Sequence, residues 1–318
     1  MSLKTGETVR VDAVGEEIIV PASVANLGGG FDTLGVAVNL HLRARIVEVR
    51  DDGRTALTVA HSVPAITGGN AVERAFAIAA ERTQRRGPTV TIEVTSEIPM
   101  AAGLGSSAAA TVAGLRVFER VTGRLSDAEL LGAATRAEGH ADNAAPAIFG
   151  GLNSVVEVEG ADPYSLRWPW PRELQLVVAT PFAGLATAKA RAALPREVPR
   201  ADAIFNMQRV LALVHALQHR EYDRLREAVG DRLHQSARSS MVPLLREALE
   251  LEDPEVLGAF LSGAGPSVAL IALGDSSNVA RRLASMYERA GVEATVRTLS
   301  VDEHGSRVVG PGVARSSV

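Results

Sequence analysis

Cysteine is absent from the 318 residues, and only Lys4 and Lys189 among the 33 basic residues are lysine. The first absence excludes thiolate nucleophiles, disulfides, iron–sulfur clusters and thiolate zinc sites. The second removes two lysine devices for handling nucleotides. A Walker A loop needs a Gly-Lys pair, and none occurs. A protein-kinase core needs a strand lysine and an H-R-D loop, and neither occurs. Excess charge is also missing, with 37 acidic residues giving a formal net charge of −4. That balance makes no case for nucleic acid or an anionic membrane as partner. Long hydrophobic runs are missing too. The uncharged stretch 98–115 is broken by Pro99, Gly103, Gly105, Ser106, Ser107, Thr111 and Gly114 and does not read as a membrane span. Residues 1–17 lack the apolar segment of a signal peptide, so the cytoplasm is the expected compartment.

What is present is ordinary for a soluble globular protein: 46% hydrophobic and 22% charged residues. The length suggests two domains or one large one. Alternation and β-branched content predict strands at 16–20, within 36–49, and at 89–96, 152–158, 174–179, 268–273 and 293–299. Helical spacing predicts 70–84 (with Asn70 as N-cap), 108–121, a helix starting at Ser126, then 202–219, 222–229 and 277–290. The stretch 160–171, with three prolines and two tryptophans, reads as a domain junction, and 309–318 reads as a loose tail. Strands and helices mix without strict βαβ alternation, which points to α+β rather than a doubly wound sheet.

Gly103-Leu104-Gly105-Ser106-Ser107 falls between a predicted strand and a predicted helix. Glycines let backbone amides turn toward an anion, and the open amides of a helix start add positive dipole. Ser106 and Ser107 can bond phosphate oxygens, and a serine hydroxyl is a hard ligand suited to Mg²⁺. By composition alone, a capped helix after a flexible loop is the commoner reading. Three further stretches weaken it: Pro21-Ala22-Ser23-Val24-Ala25-Asn26-Leu27-Gly28-Gly29-Gly30-Phe31-Asp32, Glu138-Gly139-His140-Ala141-Asp142-Asn143, and Leu261-Ser262-Gly263-Ala264-Gly265-Pro266-Ser267.

In this order and at these separations, the three glycine motifs resemble those of the GHMP small-molecule kinases. Motif one resembles P-A-x-x-A-N-L-G-x-G-F-D, motif two P-x-x-x-G-L-G-S-S-A-A, and motif three L-S-G-A-G-P-S/T. Ala25-Asn26-Leu27 with Phe31-Asp32, and His140-x-Asp142-Asn143-x-Ala145-Pro146, are similar to the homoserine kinases within that superfamily. The resemblance covers roughly 18–273. It implies an α+β two-domain fold: an N-terminal part (1–165) like the second domain of ribosomal protein S5, and a ferredoxin-like C-terminal part (166–318). ATP and substrate would bind between them.

It further implies transfer of phosphate from ATP, with Mg²⁺, to the hydroxyl of L-homoserine. Pro99, Met100, Ala101, Ala102, Gly103, Leu104, Gly105, Ser106, Ser107, Ala108 and Ala109 would wrap the triphosphate. Asn70 would lie near the adenine, and Ser107 and Glu138 would hold Mg²⁺. Asn26, Asp32, His140, Asn143, Thr187, Arg191 and Arg238 would form the amino-acid pocket, where a carboxylate calls for an arginine fork. The proton acceptor is left among Asp142, His140 and Asp32, and a loose transition state needs no strong base. A homodimer is common among such kinases.

Two departures stand out. Gly29 replaces a usual proline and should loosen its turn. Arg238 sits in His234-Gln235-Ser236-Ala237-Arg238 where the family more often has H-Q-P-Y-R. Lys189 falls between Thr187 and Arg191 with no assigned role. Competing readings are another GHMP kinase acting on mevalonate, a sugar or an isoprenoid precursor, and a non-catalytic nucleotide-binding homologue. A Rossmann dinucleotide site fails because Gly103-x-Gly105 lacks the following glycine and partner acid.

Overall fold

The computed structural model describes residues 10–65 and 69–311. In chain order its first half runs β1 (Glu17–Ala25), β2 (Leu34–Arg50), β3 (Ala56–Val63), α1 (Ala71–Thr83), β4 (Thr89–Ser96), α2 (Ser106–Thr122), α3 (Asp127–Glu138), α4 (Ala144–Phe149), β5 (Leu152–Val156) and β6 (Tyr164–Trp168). The second half runs β7 (Leu174–Pro181), α5 (Thr187–Ala192), α6 (Arg200–His219), α7 (Leu225–Ala228), α8 (Gln235–Arg238), α9 (Leu245–Leu249), β8 (Val256–Leu261), β9 (Val268–Leu273), α10 (Ser277–Arg289), β10 (Ala294–Leu299) and β11 (Arg307–Val309).

The first sheet has the order β11-β1-β2-β4-β3, with β5 and β6 added beside the start of β2. Residues 18–25 of β1 are buried throughout, because the strand is paired on both edges and packed on its faces. The second sheet, β10-β7-β9-β8, has the strand order of a ferredoxin-like βαββαβ unit. No helix among the described residues is long and apolar enough to cross a membrane.

Local chemistry explains the helix ends. The Asn70 side chain accepts from the Val72 amide and starts α1, and Gln84 closes it in the left-handed conformation. Ser126 and Glu129 form a capping box that starts α3. The small residues of α2 let it lie close to its neighbours: a Cβ at Gly114 would meet the Val72 carbonyl at 2.1 Å. This helix runs across β1 and points its N-terminus at the site described below.

Four strands, β3, β6, β8 and β11, have no counterpart in the sequence expectations. β3 is an edge strand with only Leu57 buried, so its apolar alternation is faint. β6 lies inside the stretch read as a junction and is mostly exposed on the edge next to β5. β8 carries Gly258 in mid-strand, which blurs the pattern. The helix expected over 222–229 is a 3-10 turn, Tyr222–Arg224, followed by the one-turn α7. The expected tail begins within β11, where Val309 pairs with Glu17, and residues 312–318 lie outside those described. A division at 165/166 falls inside β6, which pairs with β5, while β11 returns to the first sheet.

That return is fastened by Asp302. Its buried carboxylate lies 2.8 Å from His41 Nε2, accepts from the amides of His304 (2.8 Å) and Gly305 (3.0 Å), and pairs with Arg307. Burial alone would raise its pKa, but the His41 bond, the amides and Arg307 outweigh it and hold the group at about 2. A carboxylate depressed in the folded state stabilises above its ordinary value near 4, and that contribution is lost as pH falls toward 2. Asp302→Asn should therefore lower stability by about 2 kcal/mol at pH 7 and flatten the acid limb of a melting-temperature profile. An unchanged acid limb would contradict this role.

Candidate active site

Two of the three glycine motifs, together with 138–143, bring side chains to one cavity. The third supports them. The 26–32 loop joins β1 to β2 through left-handed residues: Asn26 (φ 74), Leu27 (φ 44), Gly28 (φ 74) and Asp32 (φ 53). Gly28 has no alternative, since a Cβ would sit 1.9 Å from the Val229 carbonyl. Asn26, nearly fully buried, accepts from the Asp32 amide (3.0 Å) and donates to the Gly263 carbonyl (2.9 Å). Gly29 lies in a closely packed part of this turn. A Cβ there would come within 2.9 Å of Arg209 Cβ and the Gly230 carbonyl, so the glycine is there for close packing.

The 99–105 loop rests on 261–267. Ser262 Oγ donates to the Gly103 carbonyl (2.6 Å), the Ser267 amide donates to Ala102, and a Cβ at Gly103 (φ +77) would strike the Ser262 carbonyl. Most of the third motif is therefore a floor for the second. Gly105, itself left-handed, precedes α2, and no side chain caps the helix. An uncapped helix start behind a glycine turn is an anion site. One residue into the helix, Ser107 Oγ donates to Glu138 Oε1 (3.0 Å), and Thr111 Oγ1, one turn later, donates to the same oxygen (2.6 Å). Hydroxyl and carboxylate oxygens side by side next to an anion site suit a hard divalent cation.

The other end of the cavity is built of charge. Arg191, from α5, forms a two-point pair with Asp32 (2.8 and 3.0 Å) across 159 residues of sequence. His140 Nδ1 lies 2.5 Å from Asp142 Oδ1, which also accepts from the Asn143 amide (2.9 Å). The Asp142 bond raises the His140 pKa against the opposing effect of burial, so the imidazole holds its proton to higher pH. Asn143 Oδ1 accepts from Ser23 Oγ (2.9 Å). Arg238 is 2% exposed. It donates to the carbonyls of Gly263 (3.1 Å) and Ala190 (3.3 Å) and lies over the Phe31 ring, yet no carboxylate pairs with it among the described residues. Burial, aided by Arg191, pushes its pKa down.

The structure brings Asn26, Asp32, Ala101, Ala102, Gly103, Gly105, Ser106, Ser107, Ala108, Glu138, His140, Asp142, Asn143, Thr187, Arg191 and Arg238 to this one cavity. Arg238 keeps its place despite the loss of Pro and Tyr from its motif. Five expected residues lie elsewhere. Leu104 is core, Ala109 is buried inside α2, Met100 is half exposed, Asn70 caps α1, and Pro99 is also outside the lining. Lys189 is exposed and outside the lining as well. Phe31, Gly263 and Ala264, read from sequence only as members of the glycine motifs, join the lining, and Thr111 joins Glu138 without having been assigned a site role. A serine or threonine one helical turn beyond a metal-type serine was the available signal for Thr111.

Residues 70–151 match the family described as GHMP kinases N terminal domain, and 213–289 match GHMP kinases C terminal. A homoserine kinase of Desulfitobacterium hafniense is 37% identical over 295 residues, covering 91% of this chain and 98% of its own. One from Deinococcus radiodurans is 37% identical over 292 residues, covering 91% and 95%. The fold is shared with the crystal structure of homoserine kinase from Cytophaga hutchinsonii, at TM-score 0.79, 24% identity and coverage of 97% and 99%. The chain belongs to the GHMP kinases and, within them, to the homoserine kinase family.

Proposed function

We propose that this chain transfers the γ-phosphoryl group of ATP to the hydroxyl of L-homoserine, forming O-phosphohomoserine on the route to threonine. The observation that carries the reading is Arg238, a buried guanidinium without a carboxylate partner, in the same cavity as the Asp32–Arg191 pair and an uncapped helix start. A zwitterion with one hydroxyl completes this arrangement. Its carboxylate takes Arg238 and shares Arg191, while its ammonium takes Asp32. Asn26, Asn143 and Thr187 supply neutral polar contacts around the chain of the substrate.

The amides of the glycine loop and the first turn of α2 hold the triphosphate without lysine. Ser107 and Glu138 would hold Mg²⁺, and their hard oxygens fit it. When bound it neutralises charge on the β- and γ-phosphates. The substrate oxygen forms its bond to the γ-phosphorus as the bond to the β,γ-bridging oxygen breaks and ADP leaves. The hydroxyl proton passes to Asp142, whose Oδ1 accepts from Asn143 and faces His140 while, among the described residues, Oδ2 makes no hydrogen bond. His140 keeps its own proton and steadies that carboxylate. Positioning and charge neutralisation supply most of the rate.

A coupled ADP-release assay on an alcohol panel tests the reading. Release should require both L-homoserine and Mg²⁺. Turnover of mevalonate or galactose, with none of homoserine, would overturn it.

A further inference from the structure

The loop that carries Asn26, Phe31 and Asp32 into the cavity is gripped by residues that line no part of it. The side chain of Asp231 is fully buried. It accepts from Asn206 Nδ2 (2.8 Å) and from the amides of Leu233 (3.0 Å), His234 (2.9 Å) and Gln235 (2.8 Å), and its Oδ1 lies 3.0 Å from His234 Nδ1. These partners hold the turn that leads into α8, and α8 carries Arg238. Asn206 Nδ2 also donates to the Gly29 carbonyl (3.0 Å), tying the same turn to the 26–32 loop.

His234 joins the two. Its ring has no exposed surface and stacks on Phe31 at 4.9 Å and 21°. The Arg238 guanidinium lies 5.3 Å from the same phenyl ring. Among the described residues neither ring nitrogen of His234 makes a well-directed hydrogen bond, although Nδ1 faces the Asp231 carboxylate at 3.0 Å. A leucine would fill such a site without burying polar nitrogens. What the imidazole adds is a flat face for Phe31 and an anchor to Asp231.

We propose that His234, anchored by Asp231, is a positioning residue for the amino-acid acceptor. Its ring fixes the tilt of Phe31, and Phe31 in turn fixes where the Arg238 guanidinium presents its fork. A misplacement of about 1 Å in such a fork is enough to weaken two-point recognition severely. The nucleotide end of the cavity, built on α2 and the 99–105 loop, contains no member of this stack, so it should be indifferent to it. The inference rests on reading Arg238 as the ligand for the acceptor carboxylate.

Steady-state constants for L-homoserine and ATP, measured on the wild type, His234→Gln, His234→Phe and Phe31→Leu, test it. His234→Gln should raise the acceptor KM about tenfold and leave the ATP KM and kcat within about twofold. His234→Phe, which restores a stacking ring, should bring the acceptor KM back to within about threefold of wild type. Phe31→Leu should reproduce the acceptor defect, and it decides the matter should His234→Gln fail to fold. Acceptor KM unchanged in the folded variants, or a parallel drift of both KM values with kcat, would overturn the proposal. A wild type inactive on homoserine would instead refute the functional reading itself, which keeps the two failures distinct.

Discussion

Arg238→Met should lower kcat/KM for homoserine by at least several hundredfold, with the ATP KM changed by no more than about threefold. Two charge-assisted hydrogen bonds to a carboxylate are worth about 4 kcal/mol in a site closed to water, and each 1.4 kcal/mol is a factor of ten. The stability of the ligand-free enzyme should move the other way or not at all. The guanidinium is buried and, among the described residues, no carboxylate pairs with it directly, so an apolar side chain of similar volume removes a desolvation penalty. Loss of acceptor affinity with an unchanged or higher Tm is the signature of a side chain kept for recognition. Arg238→Lys should not rescue, because an ammonium cannot offer the planar fork that a carboxylate accepts. A Tm that falls steeply in Arg238→Met, with acceptor KM intact, would assign the residue to the core.

Glu138→Gln should raise the Mg²⁺ concentration for half-maximal rate at least tenfold and lower kcat by about a hundredfold or more. The substitution is close to isosteric, and its carbonyl oxygen can still accept from Ser107 and Thr111. Folding should therefore survive while the negative charge is lost. Thr111→Val should act in the same direction but more weakly, since Glu138 keeps its charge and loses only one of the two hydroxyls that fix it. Titration of Mg²⁺ at saturating ATP separates the two. An unaltered metal requirement in Glu138→Gln would remove the carboxylate from the metal site.

The sheet strands with strong alternation were legible from sequence, and β4 runs from Thr89 to Ser96 as its β-branched pattern predicts. The edge strands β3 and β6 were not, because more than half of their residues face water and the pattern that marks a buried face dissolves. The order of glycine motifs pointed to the site, but not to the division of labour within it. Gly263 and Ser262 serve mainly as the surface on which Asn26 and Gly103 are seated. The pairings that elude local sequence reading act at long range. Asn206 and Asp231 are 25 positions apart, and Arg191 and Asp32 are 159 apart. No local periodicity encodes such pairs. Only the fold, or a family pattern carried over position by position, reveals them.

The central claim is that the acceptor is read as a zwitterion, its carboxylate by Arg238 and Arg191 and its ammonium by Asp32. The most direct test compares kcat/KM for L-homoserine with that for 3-aminopropan-1-ol, which lacks the carboxylate, and 4-hydroxybutyrate, which lacks the ammonium. Both retain the reacting hydroxyl. Homoserine should turn over, and each analogue should lose at least about a hundredfold, since either one leaves a charged side chain of the pocket without its substrate partner. Turnover of 3-aminopropan-1-ol on a par with homoserine would contradict it.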